Sequence, residues 1–157
     1  MGKINVSAER TIDAPAPAVY GYIADHREHH PNFLPPQFSD FKIESGGVGA
    51  GTIVTFKTTA GGRTRAYRME VQEPEPGRVM VERDTNSSMV MTWTVTPEGD
   101  HSTVHLETEW EGAGGIGGFF ERTFAPRVMR GIYEDELGRL DDYARSQQSA
   151  AAAPPAS

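Results

Sequence analysis

The sequence predicts an α+β domain: a seven-stranded antiparallel meander packed on one long C-terminal helix, with two short helices after the first strand. Two patterns carry this reading. Up to Trp110 the apolar residues mostly alternate with polar ones, between turns rich in glycine, proline and asparagine, which is the pattern of half-buried strands. From Gly115 to about Arg145 they recur three or four apart instead. Ile116, Phe119, Phe120, Phe124, Val128, Met129, Ile132, Tyr133, Leu137, Leu140 and Tyr143 alternate there with Glu121, Arg130, Glu134, Asp135, Arg139 and Asp142. Each such apolar side chain gains about 1.5 to 3 kcal/mol on burial, so this helix needs a concave partner, and the strands supply it. Pro126 has no N–H for the carbonyl four residues back, so a short first segment, a kink and a main helix are expected.

Taken in order, residues 3–13 place Ile4, Val6, Ala8 and Ile12 on one strand face together with Arg10, which then needs a partner or a wet cavity. Ala14-Pro15-Ala16-Pro17 closes the strand and opens a short helix along Val19, Tyr20 and Ile23, because proline suits a first helical turn. Asp25 to Pro36 forms a second short helical or irregular piece that prolines keep from continuing. Phe41 and Ile43 begin the meander, and Val54, Phe56 and Thr58 alternate up to the Gly61-Gly62 turn. Tyr67, Met69 and Val71 line the return strand, with Arg68 and Glu70 on its other face. Val79 and Val81 share a face with Arg83, which places that arginine inward. Met89, Met91, Trp93 and Val95, then Val104, Leu106, Thr108 and Trp110, complete the series. Residues 1–145 are read as a single domain, and 146–157, rich in serine, glutamine, alanine and proline, as a disordered tail.

Composition narrows the function classes. Among 157 residues, 15 Lys and Arg stand against 22 Asp and Glu, a net charge of −7 that argues against a nucleic-acid or anionic-membrane surface. The absence of cysteine removes disulfides, thiolate metal sites and thiol nucleophiles. No apolar run approaches a membrane span or a signal peptide, so a cytoplasmic protein without membrane insertion is expected, as monomer or homodimer.

Three motifs invite chemistry. Gly112-Ala113-Gly114-Gly115-Ile116-Gly117 spells the dinucleotide-binding fingerprint between a strand and a helix, but a dinucleotide site needs a second parallel strand with an acid beyond that helix, and none is predicted. A glycine corner between strand and helix is the expectation. The glycines from Gly46 to Gly51 lie between strands without Gly-Lys-Ser/Thr, so a wide or bulged hairpin loop replaces a phosphate loop. His26, His29 and His30 have helical spacing, yet Pro31 pushes His30 to a boundary; a solvated histidine-rich turn is expected rather than a metal site, with a titrating group at a pocket mouth also open. No metal and no cofactor is expected.

The residues Ile12-Asp13-Ala14-Pro15 followed by Val19-Tyr20 and Ile23-Ala24-Asp25, the stretch Asn32-Phe33-Leu34-Pro35, Gly49-Ala50-Gly51-Thr52 before a strand, and Glu75-Pro76-Gly77-Arg78-Val79 before the next resemble the START, birch-pollen-allergen and polyketide-cyclase superfamily. The resemblance runs from residue 3 to about 145 and is closest to the bacterial polyketide cyclase/dehydrase-like branch. It implies a helix-grip fold, a curved sheet wrapped round the C-terminal helix, with a cavity opening near the two short helices. Members bind lipids, sterols, hormones, polyketides or aromatics there, and some catalyse cyclisation or dehydration without a shared catalytic triad.

The leading expectation is therefore a binder of a small hydrophobic molecule. Its site would be lined by Phe56, Tyr67, Met69, Met91, Trp93, Phe120, Phe124 and Val128, with Phe33 near the entrance. A cyclase or dehydratase using the same cavity is the alternative; Arg83, Arg10 and Tyr67 are its candidate groups for polarising a carbonyl and moving a proton. A third reading is an interaction protein whose core is filled by its own side chains.

Overall fold

The computed structural model describes residues 2–112 and 115–152, with side chains described outside 115–124 and 152. Strand β1 (Lys3–Ile12) leads into α1 (Ala16–Ala24) and a 3-10 turn (His30–Phe33). The meander follows as β2 (Phe38–Ser45), β3 (Ile53–Ala60), β4 (Arg63–Glu75), β5 (Val79–Asp84), β6 (Val90–Glu98) and β7 (His101–Glu111), and α2 (Gly115–Ala152) ends the chain of elements. One antiparallel sheet holds all seven strands in the order β1-β7-β6-β5-β4-β3-β2 and curves round α2, the helix-grip arrangement.

The topology explains the short helices. β1 and β2 are the two sheet edges, so the chain must travel the whole width of the sheet between them, and α1 with the 3-10 turn makes that crossing. Pro15 stands at the N-cap of α1 and Asp25 ends it. The Gly46–Gly51 loop docks on this crossing: His26 N donates to Gly47 O at 2.8 Å and Gly49 N to Ala24 O at 3.0 Å. Gly47 and Gly49 lie at positive φ, and a Cβ would meet the Arg27 side chain of the crossing at Gly47 and the Glu73 side chain of β4 at Gly49, so both positions require glycine. At the other end of β3 the Gly61-Gly62 turn has both residues at positive φ, the requirement of a two-residue hairpin.

Register decides which side chains enter the interior. The β1–β7 ladder runs without a shift from Lys3↔Glu111 to Ile12↔Ser102, burying Ile4, Val6, Ala8 and Ile12 against the sheet's concave side. Arg10 shares that side but reaches the edge, where its half-exposed guanidinium lies 3.3 Å from the buried Asp141 of α2. It is a tie between β1 and the helix, outside the lining of the cavity between sheet and α2. Strand β5 corrects the sequence reading more sharply. Met80, Glu82 and Asp84 point inward and Arg83 points out, donating to Gln72 Oε1 at 3.1 Å. Val79, Met80 and Val81 are apolar on consecutive positions, so the period-two signal is degenerate there, and a one-residue slip reverses every side chain.

Helix α2 also departs from expectation. It continues through Pro126 as one helix rather than two segments, and it extends past Arg145 to Ala152 where a disordered tail was expected; residues 153–157 lie outside the described residues. Buried Tyr133, Leu137, Leu140 and Ala144 hold it beyond the proline. Alanine and glutamine are good helix formers, and Gln148 Nε2 donates to Tyr22 OH at 3.0 Å, anchoring the last turns.

Asp141 is the main polar link between helix and sheet. It accepts from Asp13 N at 2.9 Å and pairs with Arg10 and with Arg145, 3.2 Å away. Burial alone raises its carboxyl, but the Asp13 amide and the two arginines outweigh that and hold it below the ordinary carboxylate value. Its contribution to stability is thus present above that ordinary value and lost as pH falls through the lowered one. We expect Asp141→Ala to lower the unfolding free energy by about 2 kcal/mol at pH 7 in urea titrations, and the gap to the wild type to close in acid.

Candidate functional site

A cavity of about 690 Å³ lies between the sheet and α2, a size suited to a drug-sized molecule. From the sheet, Phe56, Met69, Met91 and Trp110, with Met89 just before β6, form its wall; from the helix, Val128, Met129, Ile132 and Tyr133. These side chains meet because β3, β4, β6 and β7 present the same alternate positions that the period-two pattern marked, while the helical residues recur at three- and four-residue intervals. The β3–β4 hairpin forms one end, its rim, with Thr58, Ala60, Gly61, Arg63 and Arg65. Rings line the adjoining wall: Phe56 is 5.3 Å from Phe38 and 5.4 Å from Tyr67, centroid to centroid. Tyr133 is the phenol on the helix side; its hydroxyl is 2.5 Å from Thr108 Oγ1, and burial pushes its pKa up, so it stays protonated at neutral pH.

Beyond Met91 and Tyr133 the interior changes character. Glu82 is the cross-strand partner of Met91, and Glu136 follows Ile132 and Tyr133 by one helical turn. Both carboxylates are buried and each faces a histidine from the crossing segment. His26 Nε2 lies 3.1 Å from Glu82 Oε1, His30 Nε2 lies 3.5 Å from Glu136 Oε2, and the two imidazoles stack with centroids 4.9 Å apart. His26 Nδ1 is 3.0 Å from Ala24 O and His30 Nδ1 is 2.7 Å from Ile23 O. Carbonyls carry no hydrogen, so both Nδ1 atoms donate, and one further hydrogen is needed in each imidazole–carboxylate contact. Trp93 Nε1 donates to Glu82 Oε2 at 3.4 Å.

The charges follow from these contacts. Burial acts to raise the Glu82 carboxyl, but its hydrogen bond to His26, with the His26 and His30 charges and Trp93, outweighs it and holds the pKa below the ordinary value. Burial acts against charge on His30, yet Glu136 and Glu82 win and hold the imidazole's pKa above its usual value. Glu136 is raised, by burial first, with the His30 bond a partial counterweight. Its Oε1 is buried without a hydrogen-bond partner among the described residues.

The predicted site residues divide accordingly. Phe56, Tyr67, Met69, Met91 and Val128 line the cavity. Trp93 lies behind it, buried against the Glu82 carboxylate and the His30 ring, and Phe33 is fully buried beside His30 and Tyr143 rather than standing at an entrance. The side chains of Phe120 and Phe124 lie outside the described residues. Arg10 and Arg83 are elsewhere, as described above. The cavity adjoins the β3–β4 hairpin rather than the short helices. The solvated histidine turn is corrected for two of its three members: His26 and His30 are buried, whereas His29 meets Tyr143 OH at 2.6 Å nearer the surface. Among the described residues no group of three or more histidines and acids is arranged to hold a metal ion, and no helix is long and apolar enough to cross a membrane.

Arg63, Arg65, Glu82, Tyr133 and Glu136 escaped the sequence reading as site residues. Extending the alternation of Tyr67 and Met69 back along β4 reaches both arginines, and Tyr133 was in the helical stripe. Nothing in the spacing of Glu82 or Glu136 marks them as buried.

A model of the family described as polyketide cyclase/dehydrase and lipid transport matches residues 3–145. No curated protein matches the sequence. Among solved structures, the KanY protein superposes with a TM-score of 0.82 at 37% identity, over 92% of this chain and 99% of that one. A protein from Thermus thermophilus gives 0.76 at 24% identity, over 91% and 98%. An aromatase/cyclase from Streptomyces sp. R1128 gives 0.75 at 18% identity, over 98% and 100%, a likeness of fold.

Removing one member of a buried ion pair strands the other, which sets the test of the network. We expect Glu82→Gln to cost about 3 to 5 kcal/mol of stability at pH 7 and to change Trp93 fluorescence. Because Glu82 has a lowered pKa, its contribution is present above the ordinary carboxylate value and lost as pH falls through the lowered one, so the wild-type advantage shrinks in acid. His30, with a raised pKa, contributes fully below about 6.5 and loses its contribution as pH rises through its folded value, so chemical denaturation across pH has an alkaline limb that His30→Gln removes.

Proposed function

The chain belongs to the polyketide cyclase/dehydrase and lipid-transport family, and from that premise we propose that it binds a small, largely apolar molecule between its sheet and α2. The observation that carries this reading is the cavity of about 690 Å³ walled by methionine, aromatic and branched aliphatic side chains. Methionines adapt their shape to a guest, and an apolar wall of this extent gains free energy whenever a ligand replaces the water it would otherwise hold.

A cyclase or dehydratase working in the same space is the second reading, favoured by the Tyr67 and Tyr133 phenols set in that apolar wall. A protonated phenol donates a hydrogen bond to a ligand carbonyl and so polarises it. Arg10 and Arg83 drop out of that role, because one is tied to Asp141 and the other faces away from the cavity.

Native mass spectrometry of the protein purified from its own host, followed by extraction of whatever is bound, tests binding directly; recovery of an apolar molecule in stoichiometric amount supports the reading. In vitro, the neutral fluorophore N-phenyl-1-naphthylamine should bind one to one. Met129→Trp, which fills the cavity from the helix, should weaken it roughly tenfold, whereas Arg83→Ala should leave its affinity unchanged. Failure of the fluorophore to bind, with no molecule recovered from the host, would sink the proposal. Tyr67→Phe separates the two readings once a ligand is known, since it abolishes turnover in an enzyme and shifts only affinity in a carrier.

A further inference from the structure

The inward face of β4 changes chemistry along its length. From the hairpin turn it presents Arg63, Arg65, Tyr67 and Met69, opposite Ala60, Thr58, Phe56 and Val54 of β3. All four β4 residues line the cavity, which is therefore cationic at the hairpin and apolar further in. Two neighbouring cations outside are neutralised: Arg68 by Glu44 at 2.7 Å and Glu70 at 3.7 Å, and Lys57 by Asp40 at 3.3 Å. Arg63 and Arg65 have no carboxylate within ion-pair distance among the described residues. In a chain with seven more acids than bases, Arg63 and Arg65 face the cavity without an ion-pair partner among the described residues, whereas Arg68 and Lys57 on the adjoining outer face are matched.

We propose that Arg63 and Arg65 form an anion subsite at the hairpin end of the cavity, so that the ligand is an amphiphile with an apolar body and a carboxylate or phosphate head. The inference rests on the apolar binding proposed above and adds the class of molecule. Two residues apart on a strand, the guanidinium groups rise from one face, and their planar donor arrays match the oxygens of either head group. Met69 stands four residues, roughly 13 Å, along β4 from Arg65, which gives the apolar body its reach. Placed at the rim, the pair keeps the charge hydrated while the tail is buried, avoiding the penalty of an anion taken into an apolar interior.

Two fluorophores that share one arylamine body make the test. N-phenyl-1-naphthylamine is neutral, and 8-anilinonaphthalene-1-sulfonate adds an anion to the same scaffold. In low salt we expect the sulfonate to bind about tenfold more tightly, the two probes to compete for one site, and the affinity ratio to approach one both in the Arg63→Gln/Arg65→Gln double variant and in about 0.5 M NaCl. The salt titration uses the unaltered protein and stands even if the variant does not fold. Equal affinities, absence of competition, or a ratio that survives both salt and substitution overturns the anion subsite while leaving the cavity reading in place. Binding of neither probe overturns the cavity reading and this inference with it. Displacement of the sulfonate by dodecanoate or by dodecyl phosphate, each below its micelle concentration, then tells a carboxylate head from a phosphate head. Equal displacement by dodecyltrimethylammonium overturns the assignment.

Discussion

Two imidazole–carboxylate contacts, withdrawn from solvent, hold the closed end of this protein together. They join the three parts of the chain that have least backbone in common: the crossing segment with His26 and His30, the middle of the sheet with Glu82, and the long helix with Glu136. An isolated charge here would be strongly unfavourable, so each group is held only because its partner is in place. The stacking of the two rings and the anchoring of both Nδ1 atoms by backbone carbonyls fix the geometry in which the four titratable groups meet. Sheet, crossing segment and helix are fixed in relation to one another by that requirement.

The cavity depends on that fixation. Apolar packing by itself would draw α2 onto the sheet until the space was filled, since burial is non-directional. With the helix tied to the crossing through Glu136 and His30, and to β1 through Asp141 and Arg10, its position is set by polar contacts at one end and along one edge. The stretch from Val128 to Tyr133 is then held opposite Met69, Met91 and Trp110 with room between. A protein that binds hydrophobic molecules needs such a frame, because an unsupported apolar void is destabilised by every side chain that lines it.

Polarity is graded along this interior. The hairpin contributes guanidinium groups, the middle contributes aromatic rings, thioethers and two phenols, and the far end is the buried imidazole–carboxylate network. An apolar molecule placed in the middle therefore has a polar region at each end, one open to hydrated charge and the other closed behind Tyr133 and Trp93. Under the proposed binding such a gradient would orient a guest, which suits a carrier that must present one end of its cargo as well as an enzyme that must present one carbonyl.

The classes and order of the elements, the antiparallel meander and part of the apolar wall were legible in the amino-acid pattern. They follow from periods of two and of three to four, which are local properties of the chain, and Phe56, Tyr67, Met69, Met91 and Val128 came from that pattern. Its local nature also set its reach. In β5 three apolar residues in succession left the face undecided, and only the ladder with β4 and β6 turned Glu82 inward and Arg83 out. A helical stripe that tolerates Glu136 and Asp141 among leucines and tyrosines looks like any amphipathic stripe until the histidines and arginines of distant segments are brought to it. His26 and His30 read as surface residues because their partners lie 56 and 106 positions away, and Phe33 and Trp93 read as cavity walls because apolar character does not distinguish packed from lining. Which charges are buried, and where the space remains, are properties of pairing across the fold, and they emerge only once the strands and the helix are assembled.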